Sequence, residues 1–98
     1  MNEQTAPIRK PRARRVTFAV RAEPGSSVAI SGDFNNWSPE GKKMTDKTGE
    51  GLYKVTLSLA PGAYEYKFII DGAWQIDREN KDWVQNTLGT LNSVLRVE

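Results

Sequence analysis

The 98-residue sequence contains neither cysteine nor histidine. Without cysteine, the chain can form no disulfide framework and no Cys-ligated metal site. Without histidine, it lacks the commonest general base, the usual partner of a Ser or Cys nucleophile, and the commonest metal ligand. Carboxylates alone can cleave glycosides, but they must be held at a fixed separation in a cleft that so small a domain rarely encloses. We therefore expect no catalytic residues, no metal site and no cofactor.

Long hydrophobic runs are also missing. Hydrophobic residues make up 38% of the chain and charged residues 27%, so the sequence is less apolar than an average globular protein. No segment approaches the length of a transmembrane span, and the first residues lack the apolar core of a secretory signal. These features predict no membrane association and a cytoplasmic location, although a signal could precede this chain if it is part of a longer protein.

Charge is unevenly distributed along the chain. Residues 1–15 contain five basic residues and one acidic residue, a net charge of +4, whereas residues 16–98 contain nine basic and eleven acidic residues, a net charge of −2. The first fifteen residues include Pro7 and Pro11 and have no hydrophobic periodicity, which predicts a disordered basic tail. Such a tail could contact nucleic acid or anionic lipid, but a solvated leader is the preferred interpretation. Residues 16–98 are then predicted to form the single folded domain.

From residue 16 onwards the dominant hydrophobic period is two, as in strands with one buried face. The alternating apolar residues are Val16, Phe18 and Val20; Val28 and Ile30; Tyr53, Val55, Leu57 and Leu59; and Tyr64, Tyr66, Phe68 and Ile70, with a last strand over residues 91–97. Pro-Gly and Asp-Gly pairs separate several of these segments. The pattern predicts an all-β fold, an antiparallel immunoglobulin-like (early-set) β-sandwich with six to eight short strands.

The pair Asp71-Gly72 predicts a tight hairpin, which orients the side chains on either side of it. In a two-residue turn, Ile69 pairs with Trp74 and Lys67 faces Ile76, so these four residues share one face. The opposite face is rich in aromatic residues and is the natural core. Trp74 and Lys67 are therefore predicted to lie on the outer surface, with backbone positions roughly 7–8 Å apart. A large aromatic side chain outside a core is typical of a binding surface.

Two further segments carry groups that suit the same surface. Residues 32–39 read as a loop that presents Trp37, and in an extended segment Leu88, Thr90 and Asn92 share one side. A pyranose ring has an apolar C–H face that packs on an indole, and its hydroxyl groups need donors and acceptors such as Lys, Thr and Asn provide. The combination favours sugar binding.

Three motifs, in this order, resemble carbohydrate-binding module family 48. They are Ser31 to Trp37 (SGDFNNW), Tyr64 to Phe68 (YEYKF) followed by Asp71 to Trp74 (DGAW), and Leu88 to Asn92 (LGTLN). The family includes the glycogen-binding domain of the AMP-activated protein kinase β subunit and the N-terminal domains of glycogen branching and debranching enzymes. The resemblance covers roughly residues 16–98.

The resemblance implies a role for six residues. Trp37 and Trp74 would stack on glucose rings, Lys67, Thr90 and Asn92 would hydrogen-bond to sugar hydroxyls, and Leu88 would protrude against or into the bent glucan. Trp83 matches no fixed position of the family, and two interpretations stay open: it extends the sugar platform or it caps an edge of the sandwich.

The sequence thus predicts a non-catalytic module that binds α-1,4-linked glucan, such as glycogen, starch or maltooligosaccharides. The alternative is a protein-interaction or regulatory module that docks a kinase or a glycogen-metabolising enzyme on the same scaffold, since exposed aromatic residues suit that role as well.

Overall fold

A computed structural model describes residues 12–98 and contains eight strands in that range. They are β1 (Arg14–Arg21), β2 (Val28–Gly32), β3 (Lys42–Lys43), β4 (Leu52–Leu59), β5 (Gly62–Ile70), β6 (Ala73–Gln75), β7 (Trp83–Gln85) and β8 (Leu91–Val97). One turn of 3₁₀ helix, Asp33–Asn35, follows β2. Every strand pair is antiparallel. The predicted all-β antiparallel sandwich of six to eight strands is confirmed.

The first strand begins earlier than the charge distribution suggested. Arg14 and Arg15, assigned above to the tail, lie in β1 and pair with Leu59 and Ser58. They join the strand because β4 extends to Leu59 and offers backbone partners at that end. The rest of the predicted tail, residues 1–11, lies outside the described residues.

The strands form two sheets of unequal size. One contains only β1 and β4, and the other has the order β3-β2-β5-β8-β7, with β6 also paired to β5. β5 is the central strand of the larger sheet. Its first half pairs with β8 from Gly62 to Tyr66, and its last three residues pair with β6 along the hairpin.

The core lies between the two sheets and is rich in aromatic residues. Phe18 from the smaller sheet packs edge-on against Tyr66 from the larger one, with ring centroids 5.2 Å apart, and Tyr66 packs in the same way on Phe68 at 5.8 Å. Tyr66 and Phe68 are buried, and Tyr64 is half-buried against the same cluster. The prediction that these three aromatic residues belong to the core is confirmed.

The β5–β6 hairpin has the predicted two-residue turn. Asp71 and Gly72 have φ values of 49° and 84°, the left-handed conformation that a type I′ turn requires at both central positions. Ile69 pairs with Trp74 as expected. The predicted pairing of Lys67 with Ile76 is wrong, because the ladder ends at Phe68 and Gln75 and the chain then leaves β5, whose edge is taken over by β8.

No helix among residues 12–98 has the length and apolar character that crossing a membrane would require.

Candidate functional site

The face of the larger sheet that points away from the core collects most of the predicted site residues. Direct cross-strand partners share a face, so the register places Lys67 with Ser31, and Trp74 with Ile69, on this side. We call it the outer face. Trp74 is 43% exposed and Lys67 is half-buried, in line with the prediction, whereas Ile69 is buried although it lies on the same face.

Trp37 and Trp74 form a pair on this face. Their ring centroids are 6.4 Å apart and the ring planes are inclined by 33°. Trp74 is placed by the hairpin, two residues after its turn, and Trp37 is placed by the loop that follows β2. The two indoles come from segments 37 residues apart in sequence, and together they form a bent aromatic surface.

The loop that carries Trp37 folds back over the outer face. Ser31 is fully buried beneath it, and its Oγ donates to the Ser38 carbonyl at 2.7 Å. The side-chain Oδ1 of Asn35 accepts the backbone N–H of Gly32 at 2.9 Å. A Cβ at Gly32 would run into the Glu65 carbonyl of the neighbouring strand, so only glycine permits this close approach.

Backbone strain accompanies the position of Trp37. Asn36 and Trp37 both have φ of 56°, a left-handed conformation that costs a residue with a side chain about 1–2 kcal/mol. The Trp37 backbone N–H donates to the Gly32 carbonyl at 2.9 Å and closes the loop. Its indole Nε1–H donates to Asp33 Oδ1 at 2.9 Å, and Asp33 Oδ2 accepts the backbone N–H of Glu65 at 2.8 Å.

A second group of polar side chains lies beside the indole pair. Lys67 Nζ donates to Thr90 Oγ1 at 3.1 Å, and Asn86 Nδ2 donates to the same oxygen at 2.6 Å. Because Thr90 Oγ1 accepts twice, its own hydrogen remains available to donate outwards. Within residues 12–98, Lys67 uses one of its three ammonium hydrogens and keeps the other two. This part of the site therefore offers mainly donors.

Asn92, which is predicted to hydrogen-bond to sugar hydroxyls, is nearly buried in the structure. Only 5% of its surface is exposed, and its Nδ2 donates to Glu65 Oε1 at 2.9 Å. The other carboxylate oxygen of Glu65 adds an acceptor beside the donors of Lys67 and Thr90.

The extended segment predicted to carry Leu88, Thr90 and Asn92 is interrupted by a loop, although Thr90 and Asn92 still lie together, since Asn86 Nδ2 donates to Thr90 Oγ1 at 2.6 Å and to Asn92 Oδ1 at 3.4 Å. Residues 86–90 form a loop between β7 and β8, because Asn86 Oδ1 accepts the backbone N–H groups of Leu88 and Thr90 at 2.9 and 3.0 Å. Leu88 stands out from this loop with 87% of its surface exposed, while Asn92 lies in β8. The three side chains are thus presented by different kinds of backbone.

Trp83 lies on the opposite side of the sheet from the indole pair. It pairs with Ser93, whose neighbour Tyr66 points into the core, whereas Val84 pairs with Asn92 and faces the outer side. Trp83 is 54% exposed at the edge strand β7. Of the two open interpretations, the position at a sheet edge fits the second, and Trp83 does not extend the aromatic surface of Trp37 and Trp74.

Four residues of this surface were not among the predicted ones. Glu65 lies two positions before Lys67 on the same strand, so the period-two pattern alone could have placed it on the outer face. Asp33 and Asn86 are turn-forming residue types, and their contacts with Trp37 and Thr90 depend on loop geometry that the sequence does not reveal. Val84 belongs to a strand that was not predicted.

Comparison with known proteins assigns the chain to a family. A family model described as the glycogen recognition site of AMP-activated protein kinase matches residues 16–98. The chain belongs to this family. The predicted membership of a glycogen- and starch-binding module family is thereby confirmed, and modules of this family bind carbohydrate rather than catalyse a reaction.

Curated relatives of the chain come from plants and animals. The Arabidopsis thaliana chloroplastic protein PTST homolog 2 is 39% identical over 66 residues, which is 67% of this chain and 12% of that protein. Protein FLOURY ENDOSPERM 6, chloroplastic, from Oryza sativa subsp. japonica is 35% identical over 63 residues, 64% of this chain and 12% of that protein. The human 5'-AMP-activated protein kinase subunit beta-1 is 35% identical over 74 residues, 76% and 26% of the respective chains. The chain thus spans about an eighth to a quarter of these relatives.

Proposed function

We propose that residues 16–98 form a non-enzymatic module that binds α-1,4-linked glucan on the outer face of the larger sheet. Trp37 and Trp74 stack on successive glucose rings. Lys67 and Thr90 donate hydrogen bonds to sugar hydroxyls. Leu88 projects from the β7–β8 loop against the glucan.

The observation that carries the proposal is the pair of indoles inclined by 33° with centroids 6.4 Å apart. An α-1,4-linked chain is curved, so neighbouring glucose rings present faces that are inclined to each other. A pair of aromatic rings inclined to each other suits this shape. The family match to a glycogen recognition site supports the same ligand class.

Asn92 contributes to sugar binding mainly by holding the carboxylate of Glu65. Its amide is nearly buried and already holds the carboxylate, so we expect its direct contact with sugar to be small. Fixing Glu65 places an acceptor next to the donors, so that a sugar hydroxyl can both donate and accept.

The experiment is an isothermal titration of the protein with maltoheptaose. An exposed platform buries little ligand area, so the expected Kd lies in the micromolar to millimolar range. Trp37→Ala and Trp74→Ala should each weaken binding about tenfold, equivalent to about 1.4 kcal/mol, because each removes half of the stacking surface. Trp83→Ala is the matched control, since it also removes an exposed indole but leaves the outer face intact.

The titration overturns the proposal if wild type shows no heat of binding, or if Trp83→Ala weakens binding as much as Trp74→Ala. Glycogen-containing native gels provide the polymer counterpart, in which wild type and Trp83→Ala are retarded and the Trp37→Ala/Trp74→Ala double variant is not.

A protein partner is the second candidate function. The exposed side chains of Leu88 and Val84 on the β7–β8 hairpin favour it, because apolar groups of this kind are used in protein recognition. Retention of a protein partner that maltoheptaose does not displace would support it. The cytoplasmic location stays a prediction, and the names of two plant relatives place those proteins in the chloroplast.

A further inference from the structure

Asp33 uses both oxygens of its carboxylate to join Trp37 to the sheet. Oδ1 accepts the indole Nε1–H of Trp37, and Oδ2 accepts the backbone N–H of Glu65. The side chain itself is exposed and packs into no core. Its two contacts therefore define what it does: one end holds a strand and the other holds an aromatic ring.

The hydrogen bond from the Glu65 N–H to the Asp33 carboxylate replaces the next backbone hydrogen bond of the β2–β5 ladder. β2 pairs with β5 as far as Gly32 and Tyr66, and in a regular ladder the next residue, Asp33, would pair with Glu65. The chain instead turns into the 3₁₀ helix at Asp33. The carboxylate takes the position in which a backbone carbonyl would have accepted the Glu65 N–H, so the amide is satisfied although the strand has ended.

The hydrogen bond to the Trp37 indole stabilises a loop whose backbone is strained and fixes the orientation of the ring. Both Asn36 and Trp37 have positive φ, and such conformations persist only when surrounding contacts stabilise them. The indole hydrogen bond orients the ring about its side-chain torsions, and it also occupies the only polar group of the indole. Trp37 can then offer a ligand its aromatic face but no donor.

We propose that Asp33 is a positioning residue that fixes the inclination of Trp37 towards Trp74, so that the bent aromatic surface is formed before the glucan arrives. This inference rests on the proposed function, because it assigns Asp33 a part in binding a curved α-1,4-linked glucan. Trp74 is held from the other side by the hairpin register, so Asp33 controls the one ring that a loop carries. A preformed surface binds more tightly because less conformational freedom is lost on binding.

Two substitutions separate the contacts. Asp33→Ala removes both acceptors. Asp33→Asn keeps the shape but has one acceptor oxygen for two donors. We expect that oxygen to stay with the Glu65 N–H, which the strand fixes in place, so that the side-chain NH₂ faces the Trp37 indole and the indole N–H loses its acceptor. We expect maltoheptaose affinity to fall about tenfold in Asp33→Ala and about fivefold in Asp33→Asn, the latter being the equivalent of one net hydrogen bond.

Asp46→Asn is the matched control. Asp46 also accepts backbone N–H groups with both oxygens, from Gly49 at 3.0 Å and from Gly51 at 2.6 Å, in the loop that leads to β4 of the other sheet. Its replacement should lower the free energy of unfolding in a comparable way and leave the affinity for maltoheptaose unchanged.

A second readout needs no sugar. In the NMR spectrum of the free protein, the Trp37 indole N–H should exchange slowly with solvent, because it is hydrogen-bonded, and faster in both Asp33 variants, while the Trp83 indole signal stays constant as an internal reference. A purely structural role for Asp33 would change stability without a selective effect on the Trp37 signal. If Asp33→Ala does not fold, Asp33→Asn decides by the same two measurements.

The outcomes are distinguishable from failure of the proposed function. If wild type binds maltoheptaose and the folded Asp33 variants bind equally well with an unchanged Trp37 signal, the positioning role is overturned and glucan binding stands. If wild type does not bind, the proposed function fails and with it the glucan-binding part of this inference, while the indole exchange still decides whether Asp33 holds the ring.

Discussion

Single side chains on the outer face are either held by their neighbours or free to bind. Asn92 and Asn86 are held: their amides make contacts within the protein. Lys67 and Thr90 keep hydrogens that nothing in the site uses. The exposure of Trp74 could be predicted from sequence because a two-residue turn fixes the alternation of its strand. The burial of Asn92 could not, because it depends on Glu65, which lies 27 residues earlier on another strand.

Replacing Lys67 by Met tests the free donors. The substitution keeps the aliphatic stem and removes the ammonium group, so we expect maltoheptaose to bind about fivefold more weakly, the equivalent of about 1 kcal/mol for one net hydrogen bond. Isothermal titration measures the change. Lys54→Met is the control, because Lys54 is an exposed strand lysine in the smaller sheet; equal losses in both variants would contradict the assigned role.

At the scale of elements, the strands with several alternating apolar residues were predictable and the short polar ones were not. β3 consists of two lysines, and β7 of the three residues Trp-Val-Gln. Neither is long enough to display a period. They form strands because β2 and β8 offer them free edges, which is a tertiary effect. The missed strand β7 matters most, since it decides on which side of the sheet Trp83 lies.

The hairpin turn offers a prediction at this scale. Gly72 and Gly25 have almost the same φ, 84° and 85°, and neither has atoms that a Cβ would strike. Gly72→Val and Gly25→Val should therefore lower the free energy of unfolding by similar amounts, at least about 1–2 kcal/mol, because β-branched residues tolerate positive φ poorly. Only Gly72→Val should also weaken maltoheptaose binding, because Trp74 follows that turn by two residues.

Urea unfolding and isothermal titration of the two valine variants measure both quantities. If Gly25→Val weakened binding as much as Gly72→Val, the hairpin would have no particular role in placing Trp74.

At the scale of the whole molecule, one aromatic core lies between the two sheets, and the outer face of the larger sheet lies on the side away from it. Tyr66 lies at the centre of this core. Its ring packs on Phe18 and Phe68, and its hydroxyl donates to Asp77 Oδ2 at 2.8 Å and accepts from Asn80 Nδ2 at 3.1 Å. The alternation of β5 predicts the buried ring. The polar partners could not be predicted, because they come from the irregular segment between β6 and β7.

The buried phenol of Tyr66 should make the free energy of unfolding depend on pH in the alkaline range. Burial raises the pKa of its phenol above the ordinary value, and the hydrogen bond it donates to Asp77 acts in the same direction. The unfolded chain releases this proton near pH 10, whereas the folded protein retains it. The contribution of the Tyr66 phenol to the free energy of unfolding is therefore fully present below about pH 10. It is lost as the pH rises further, by up to about 1.4 kcal/mol per pH unit.

Tyr66→Phe isolates this effect from other titrating groups. At neutral pH the variant should be less stable by about 1–2 kcal/mol, because Asp77 and Asn80 lose their partner. Above about pH 10 the free energies of unfolding of variant and wild type should converge. Urea unfolding across this pH range measures both, and parallel curves would show that the phenol titrates alike in the two states. Maltoheptaose affinity should not change at neutral pH, since Tyr66 points away from the outer face.

The most direct measurement of the central claim follows the three indole N–H signals of the protein in NMR spectra during a titration with maltoheptaose. The signals of Trp37 and Trp74 should shift together and saturate at the same sugar concentration, because one ligand covers both rings, while the signal of Trp83 stays in place. If Trp83 shifted and the outer-face pair did not, or if Trp37 and Trp74 saturated at different concentrations, the glucan would not be bound on a shared surface of these two rings.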